Sequence, residues 1–236
     1  MQSKTTEKVV GLLGGMGPEA TIDIFQKIVE ATKAKEDEDH LRIIIDNNPK
    51  LPSRQDAILK GTESPGAMMA LTAKKLEDAG ADFIIICANT AHYFYDDVND
   101  SVNIKVLHII KETVDEIIRG NKHVKKVGVL ATAGAMKANI FQTIFSAKEI
   151  DVINLPPNLQ KQLQESIFSF KSSGSKGTNA EKILEVAKFF VNEGAEAIIM
   201  GCTEIPIILE GEKLTIPLLD PNEIIAKAAV KYAKGV

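Results

Sequence analysis

The chain repeats itself, and that repetition narrows its possible folds more than any other feature. Val10-Gly11-Leu12-Leu13 returns as Val127-Gly128-Val129-Leu130, Gly17 returns as Gly134, and Ile24-Phe25-Gln26 returns as Ile140-Phe141-Gln142. Further on, the stretch from Ala79-Gly80-Ala81 to Ile86-Cys87 returns as Glu193-Gly194-Ala195 to Gly201-Cys202. Ile104-Lys105-Val106-Leu107 is echoed by Ile216-Pro217-Leu218-Leu219. Coincidence could explain any one match, but these keep one order at offsets between 112 and 117 residues. They indicate two copies of one unit.

The unit is α/β. Short apolar runs rich in branched residues alternate with amphipathic segments, the pattern of strands and covering helices. Strands are expected at residues 9–13, 41–46, 83–87, 105–107, 126–130, 152–155, 197–201 and 215–219. Their uninterrupted apolar character predicts parallel strands covered on both faces. A helix is expected over 65–79, with Ser64 before it, Pro65 at its first position and Gly80 ending it. The whole reads as two pseudo-symmetric lobes, each a small, mostly parallel sheet flanked by helices. In such sheets ligands sit beyond the carboxyl ends of the strands, so an active site is expected between the lobes. Residues 170–178 (FKSSGSKGT) read as a mobile Ser/Gly loop.

Composition excludes several function classes. The net charge is −4 and the aromatic content 5%, with no Trp. A nucleic-acid binder would carry a basic excess or stripe, so no nucleic-acid partner is expected. No apolar run approaches a membrane span, so no membrane partner is expected either. The first ten residues lack the apolar stretch of a signal peptide, and two cysteines in a mildly acidic chain fit the cytoplasm, where thiols stay reduced.

Those two cysteines are the residues most able to do chemistry. Cys87 and Cys202 close matching strands of the two copies, followed by Ala88-Asn89-Thr90 and Thr203-Glu204. A thiol where a helix begins meets outward-pointing N–H groups, which can lower its pKa from about 8.5 toward neutrality. A single cysteine of this kind is more often a small buried hydrophobe; a symmetric pair favours function. Metal ligation is not expected, because no further Cys or His pair lies at ligand spacing. Gly14-Gly15-Met16-Gly17-Pro18 after the first strand is either a tight turn or, beside Cys87, a backbone cradle for a carboxylate. Thr132-Ala133-Gly134 is its counterpart. Arg54 lies on a proline-stiffened loop after the second strand and could hold a carboxylate by paired hydrogen bonds. Lys171 opens the Ser/Gly loop; either cation could equally be a solvated surface group. His92 and His108 read as structural rather than acid–base residues.

Four segments carry a resemblance: Leu13-Gly14-Gly15-Met16-Gly17-Pro18-Glu19-Ala20-Thr21, Pro52-Ser53-Arg54, Cys87-Ala88-Asn89-Thr90-Ala91-His92 and Gly201-Cys202-Thr203-Glu204. With them the chain resembles the aspartate/glutamate racemase superfamily, most closely its cofactor-independent aspartate racemases, from about Val9 to the C-terminal helix. Glu204 stands where glutamate racemases usually carry His, and Ala135 where the family usually carries Thr. The resemblance implies a first lobe of residues 1–107 plus 221–236, a second of residues 108–220, a homodimer, and no pyridoxal phosphate. It implies interconversion of L- and D-aspartate by proton transfer at Cα, with Cys87 and Cys202 as the two bases. The substrate-binding residues it implies are Arg54, Lys171, Asn89, Thr90, Thr132, Thr203, Met16 and Gly17, with an acidic amino acid as the small-molecule partner.

The chemistry is coherent with those residues. Racemisation removes a proton from one face of Cα and adds one on the other, which two bases on opposite faces accomplish without moving. Thiols are suited to this because their pKa lies near the working range. Without a cofactor, the carbanion's charge must spread onto the carboxylate and be met by preorganised hydrogen bonds. Alternatives are a glutamate or broad-specificity racemase, a maleate-type isomerase or decarboxylase on the same scaffold, and a non-catalytic binder of acidic amino acids. A binder has no need of paired thiols, and two cysteines favour a racemase over a single-cysteine decarboxylase.

Overall fold

The computed structural model describes residues 7–120 and 123–235. The chain divides into two compact units, Met1–Glu112 with Asn222–Val236, and Thr113–Pro221.

The first unit is built on β1 (Val10–Gly14), β2 (Ile43–Asn47), β3 (Phe83–Ile86) and β4 (Lys105–Leu107), all parallel, in the order β2-β1-β3-β4. The second repeats the plan with β5 (Lys126–Val129), β6 (Asp151–Ile153), β7 (Ala197–Ile199) and β8 (Leu218–Leu219), in the order β6-β5-β7-β8. The identical strand order is the structural form of the sequence repeat. It places Val10 opposite Phe83 in one sheet and Val127 opposite Ala197 in the other.

Burial follows strand position. Every residue of the central β1 and of β3 is buried, as their unbroken apolar sequences require, whereas the edge strand β2 is half-buried and leaves Ile45 exposed. β8 is shorter than its apolar run suggests. Pro217 has no N–H to give the ladder, although its carbonyl still accepts from Ile198 N at 2.9 Å.

The helices fit the sheets by spacing. α1 (Pro18–Thr32) begins with proline at its first position and buries Ala20, Thr21, Ile24, Ile28 and Thr32, one face of a 3.6-residue period. It is followed by α2 (Arg54–Lys60) and α3 (Gly66–Asp78). Ser64 Oγ accepts from Gly66 N, and α3 gives way to Gly80 at φ +94°. α4 (Tyr95–Asn99) follows, α5 (Ile109–Gly120) begins in the first unit and runs on into the second, and α11 (Pro221–Lys234) returns the chain to the first unit. The second unit carries α6 (Ala133–Lys137), α7 (Ile140–Ser146), α8 (Pro157–Ser173), α9 (Asn179–Asn192) and α10 (Glu204–Ile208).

The Ser/Gly loop expected at residues 170–178 starts later than its composition suggests. Residues 170–173 are not loop but the last turn of α8, which runs to Ser173 and ends at Gly174 in the left-handed conformation, φ +66°. The glycine, not the preceding serines, sets the boundary.

Packing in the second unit is tight where β5 meets α9. A Cβ on Gly128 would lie 2.4 Å from Phe190 Cγ, and Phe190 is fully buried. Gly128→Ala should therefore cost about 1–3 kcal/mol in urea unfolding. Adding Phe190→Leu should make the pair less than additive; strict additivity would contradict this contact.

Candidate active site

Because all strands of a sheet are parallel, their carboxyl ends lie along one edge. In the first unit that edge gathers the glycine turn after β1, the Asn48–Arg54 segment after β2 and the Cys87–Thr90 segment after β3. The turn needs its glycines. Gly15 has φ +90°, and a Cβ there would lie 2.3 Å from the Asn48 backbone. A Cβ on Gly14 would meet Thr21 Oγ1 at 2.5 Å. Thr21 Oγ1 accepts from Gly15 N at 3.0 Å, so the turn is tied to α1 and that N–H is already used. Gly17 precedes Pro18 as the N-terminal residue flanking α1, and the Met16 side chain packs in the core. Any contact Met16 makes with a ligand would have to come from its backbone.

Arg54 is the first residue of α2 rather than part of a loop, because Ser53 Oγ accepts from Asp56 N and starts the helix there. Its guanidinium donates to the carbonyls of Pro52 at 2.9 Å and Leu51 at 3.4 Å. It is half-buried, and burial lowers its pKa below the usual guanidinium value. It has no carboxylate partner among the described residues, so a held cation is left with N–H donors to satisfy. α2 packs against the 3₁₀ turn Thr90–Phe94 that follows Cys87.

Cys87 stands one residue beyond β3 with no exposed surface, its Sγ 3.9 Å from the Ile85 carbonyl. Two residues on, Asn89 is 3% exposed, and neither its Nδ2 nor its Oδ1 has a partner. Leaving a buried donor and acceptor unmade costs roughly 1–3 kcal/mol each, which structures seldom tolerate without a reason. Thr90 opens the 3₁₀ turn and is half-buried. His92 is fully committed to the backbone: Nδ1 donates to the Ala88 carbonyl at 2.9 Å, and Nε2 accepts from Ile109 N at 3.2 Å. It thereby pins the segment after Cys87 to the start of α5.

In the second unit, Cys202 lies three residues beyond β7, so the residue equivalent to Cys87 by strand register is Gly201 and the thiol is displaced by one. Cys202 Sγ donates to Glu204 Oε2 at 2.9 Å, and Thr203 Oγ1 donates to the same oxygen at 3.1 Å. The other oxygen, Glu204 Oε1, pairs with Lys171 Nζ at 2.9 Å. Thr132 caps α6, its Oγ1 accepting from Ala135 N at 3.4 Å. Two glutamines of α8 hold the same loop: Gln164 accepts from Ala133 N at 2.9 Å, and Gln160 donates to the Ala131 carbonyl at 3.1 Å.

The thiols are not lowered toward neutrality, contrary to the expectation from their strand-end positions. Burial pushes both far up, and the Glu204 carboxylate raises Cys202 further while Lys171 opposes it. The physical reason is that the following helices are too slight: a 3₁₀ turn of five residues after Cys87 and the five-residue α10 after Cys202. Their end fields cannot offset complete desolvation. Among the described residues no group of three or more His, Cys, Asp or Glu side chains could hold a metal ion, and no helix is long and apolar enough to cross a membrane.

The family model described as Asp/Glu/Hydantoin racemase matches residues 13–229, which include both thiols and the loops around them. The chain belongs to that racemase family. It is 27% identical over 226 residues to a broad-specificity amino-acid racemase of Bacillus subtilis, RacX, covering 94% of this chain and 96% of the relative. Its fold matches the aspartate racemase of Picrophilus torridus with a TM-score of 0.84 at 30% identity, over 97% of this chain and 94% of that one. An aspartate racemase homologue from Pyrococcus horikoshii matches at 0.78 and 27% identity, over 96% and 99%. A glutamate racemase from Francisella tularensis shares the fold, with a TM-score of 0.67 at 22% identity, over 96% and 81%.

Within this racemase the sequence-expected residues fall into two sets. Gly17, the Met16 backbone, Arg54, Cys87, Asn89 and Thr90 share the carboxyl edge of the first sheet. Lys171, Cys202 and Thr203 are brought together in the second unit through Glu204, and Thr132 follows β5, the strand that pairs with β7. Sequence reasoning did not assign a role to Glu204, which joins Lys171 to Cys202, nor to Gln160 and Gln164. The sequence signals for Glu204 were its place two residues after the thiol and its standing where glutamate racemases usually carry His.

His92 supplies a pH dependence. Burial holds it neutral, lowering its pKa from 6.5 to about 4. The unfolded chain therefore binds the proton over that interval when the native protein does not, and stability falls as pH drops from 6.5 toward 4. His92→Gln should be less stable at pH 7 yet lose less stability on going to pH 5, read as urea midpoints. Parallel losses in the two proteins would contradict the assignment.

Proposed function

We propose that this racemase interconverts L- and D-aspartate without a cofactor, using Cys87 and Cys202 as bases on opposite faces of Cα. The observation that carries the reading is that the chain's two cysteines both lie just past the third strand of each unit, β3 and β7, in two sheets of identical order. A duplicated fold that places a thiol at the same edge of each copy suits a reaction that is itself symmetric about a carbon. The aspartate racemase from Picrophilus, similar along nearly the whole chain, supports aspartate as substrate.

In one direction the Cys202 thiolate takes the Cα proton while the Cys87 thiol gives its own to the other face; in the reverse direction the roles exchange. The carbanion's charge moves onto the substrate α-carboxylate. Asn89 has both an unpartnered Nδ2–H donor and an unpartnered Oδ1 acceptor, which match a carboxylate and an ammonium on one amino acid. Thr90 and Thr203 add hydroxyls, and the Thr132 hydroxyl, accepting from Ala135, still has a proton to donate. Preorganised donors of this kind act where charge develops. Arg54, without a carboxylate partner, is the group for the side-chain carboxylate, which a neutral amino acid lacks. Both thiols are protonated in the resting protein, so ionisation must accompany substrate binding; the substrate ammonium supplies a positive charge for it. A homodimer is part of the same proposal.

A second reading, a broad-specificity racemase, is favoured by the similarity to RacX over 94% of the chain. One assay separates the two: racemisation of aspartate, glutamate and alanine by purified protein without added cofactor. Aspartate should be preferred, and Arg54→Ala should lower kcat/KM for aspartate by the equivalent of about 2–5 kcal/mol while leaving alanine little changed. Comparable rates on all three amino acids would select the second reading. Cys87→Ala and Cys202→Ala should each abolish inversion, each retaining slow Cα–H exchange of one enantiomer, in complementary fashion. Either variant racemising at the wild-type rate would overturn the two-base proposal.

A further inference from the structure

The proposed two-base reading needs Cys202 to lose its proton, and the second unit contains an acceptor for it. Glu204 Oε2 receives the Cys202 thiol at 2.9 Å and the Thr203 hydroxyl at 3.1 Å, while Oε1 is held by Lys171 Nζ at 2.9 Å. Glu204 is only 15% exposed at its side chain, and Lys171 38%. Both oxygens of this carboxylate are engaged, one by the thiol and the hydroxyl and one by a cation on a different helix. Glu204 lies on α10 and Lys171 on α8, and the two helices pack together. They are the charged groups acting on the Cys202 sulfur among the described residues, and Lys171 and Cys202 are the titratable groups acting on Glu204.

We propose that Glu204 is the proton acceptor that ionises Cys202, and that Lys171 governs it by pairing either with Glu204 or with a carboxylate of the bound substrate. This rests on the two-cysteine reading and adds a positioning residue to it. In the resting protein the lysine pair keeps Glu204 a weak base, and the thiol stays protonated as a donor to it. When a dicarboxylic substrate draws Lys171 away, the uncompensated carboxylate becomes more basic and takes the Cys202 proton: the S–H bond breaks, an O–H bond forms, and no electron leaves the system. The Cys202 thiolate then accepts the Cα proton as Cys87 donates its own. On product release Lys171 returns to Glu204, whose proton goes to solvent, and the Cys87 thiolate takes one from solvent. The chain is back at its starting protonation. Lys171 thus reports substrate charge to the thiol, which explains how a lysine already paired in the resting protein can serve a dicarboxylate.

The test uses the fact that Cys87→Ala leaves a single cysteine. With ¹³Cβ-labelled cysteine in that background, the Cys202 resonance is followed against pH. Glu204→Gln removes the negative neighbour and should lower the midpoint by about 1–3 pH units. Lys171→Met removes the positive one and should raise it. These shifts are readable whether or not the protein racemises any amino acid, so their failure is separate from failure of the two-cysteine reading. An unchanged or opposite ordering, including a resonance that stays at the thiol position in both variants, overturns the charge relay. In the chain with both cysteines, Glu204→Gln should lower kcat for aspartate at least tenfold, as loss of a general base does, with KM changed less than threefold. A kcat at the wild-type level overturns the proton transfer even if the midpoints move as expected.

Discussion

Parallel pairing around a buried central strand is the constraint on which everything else rests. β1 carries β2 and β3 as parallel neighbours, and β5 carries β6 and β7 in the same way. Parallel strands deliver their carboxyl ends to one edge, so loops far apart in sequence become neighbours. Gly15 lies against Asn48 for this reason, and α2 against the turn after Cys87. The close approaches at Gly14, Gly15 and Gly128 show how little slack the arrangement leaves.

That tight burial shapes the chemistry. A thiol without solvent strongly resists ionisation, and two short helical turns do not compensate. Among the described residues no charged group acts on Cys87, whereas Cys202 has a carboxylate and, through it, a lysine. The two thiols are therefore unequal in a fold that repeats itself. The inequality is already visible in the one-residue displacement of Cys202 relative to strand register. The proposed two-base reaction tolerates such asymmetry, because in that proposal each direction requires one thiol to be base and the other acid.

The sheets were legible because each strand is a short branched apolar run and the repeat fixed their correspondence; all eight expected strands are present, with ends shifted by a few residues. β8 was overextended because Pro217 interrupts the ladder's donors. Ser172 and Ser173 before a glycine read as loop around Lys171, but serines near a helix end do not stop it. Pro49 and Pro52 read as loop before Arg54, yet Ser53 is a competent cap. What the sequence could not show was pairing across distance. Lys171 and Glu204 are remote in the chain, and only the packing of α8 on α10 brings them to 2.9 Å. The unpartnered amide of Asn89 is equally invisible to sequence, since any buried Asn could have found a partner. The ionisation expected of the thiols failed because strand-end position was weighed without the depth of burial.

The central claim is that one thiol removes the Cα proton while the other delivers a different one. Wild-type protein given L-aspartate in deuterated water tests it directly, with deuterium at Cα measured separately in the two enantiomers during the first few per cent of reaction. Two bases predict D-aspartate already deuterated at Cα while the remaining L-aspartate stays protiated. D-aspartate retaining protium, or L-aspartate gaining deuterium as fast as D-aspartate forms, would contradict the account.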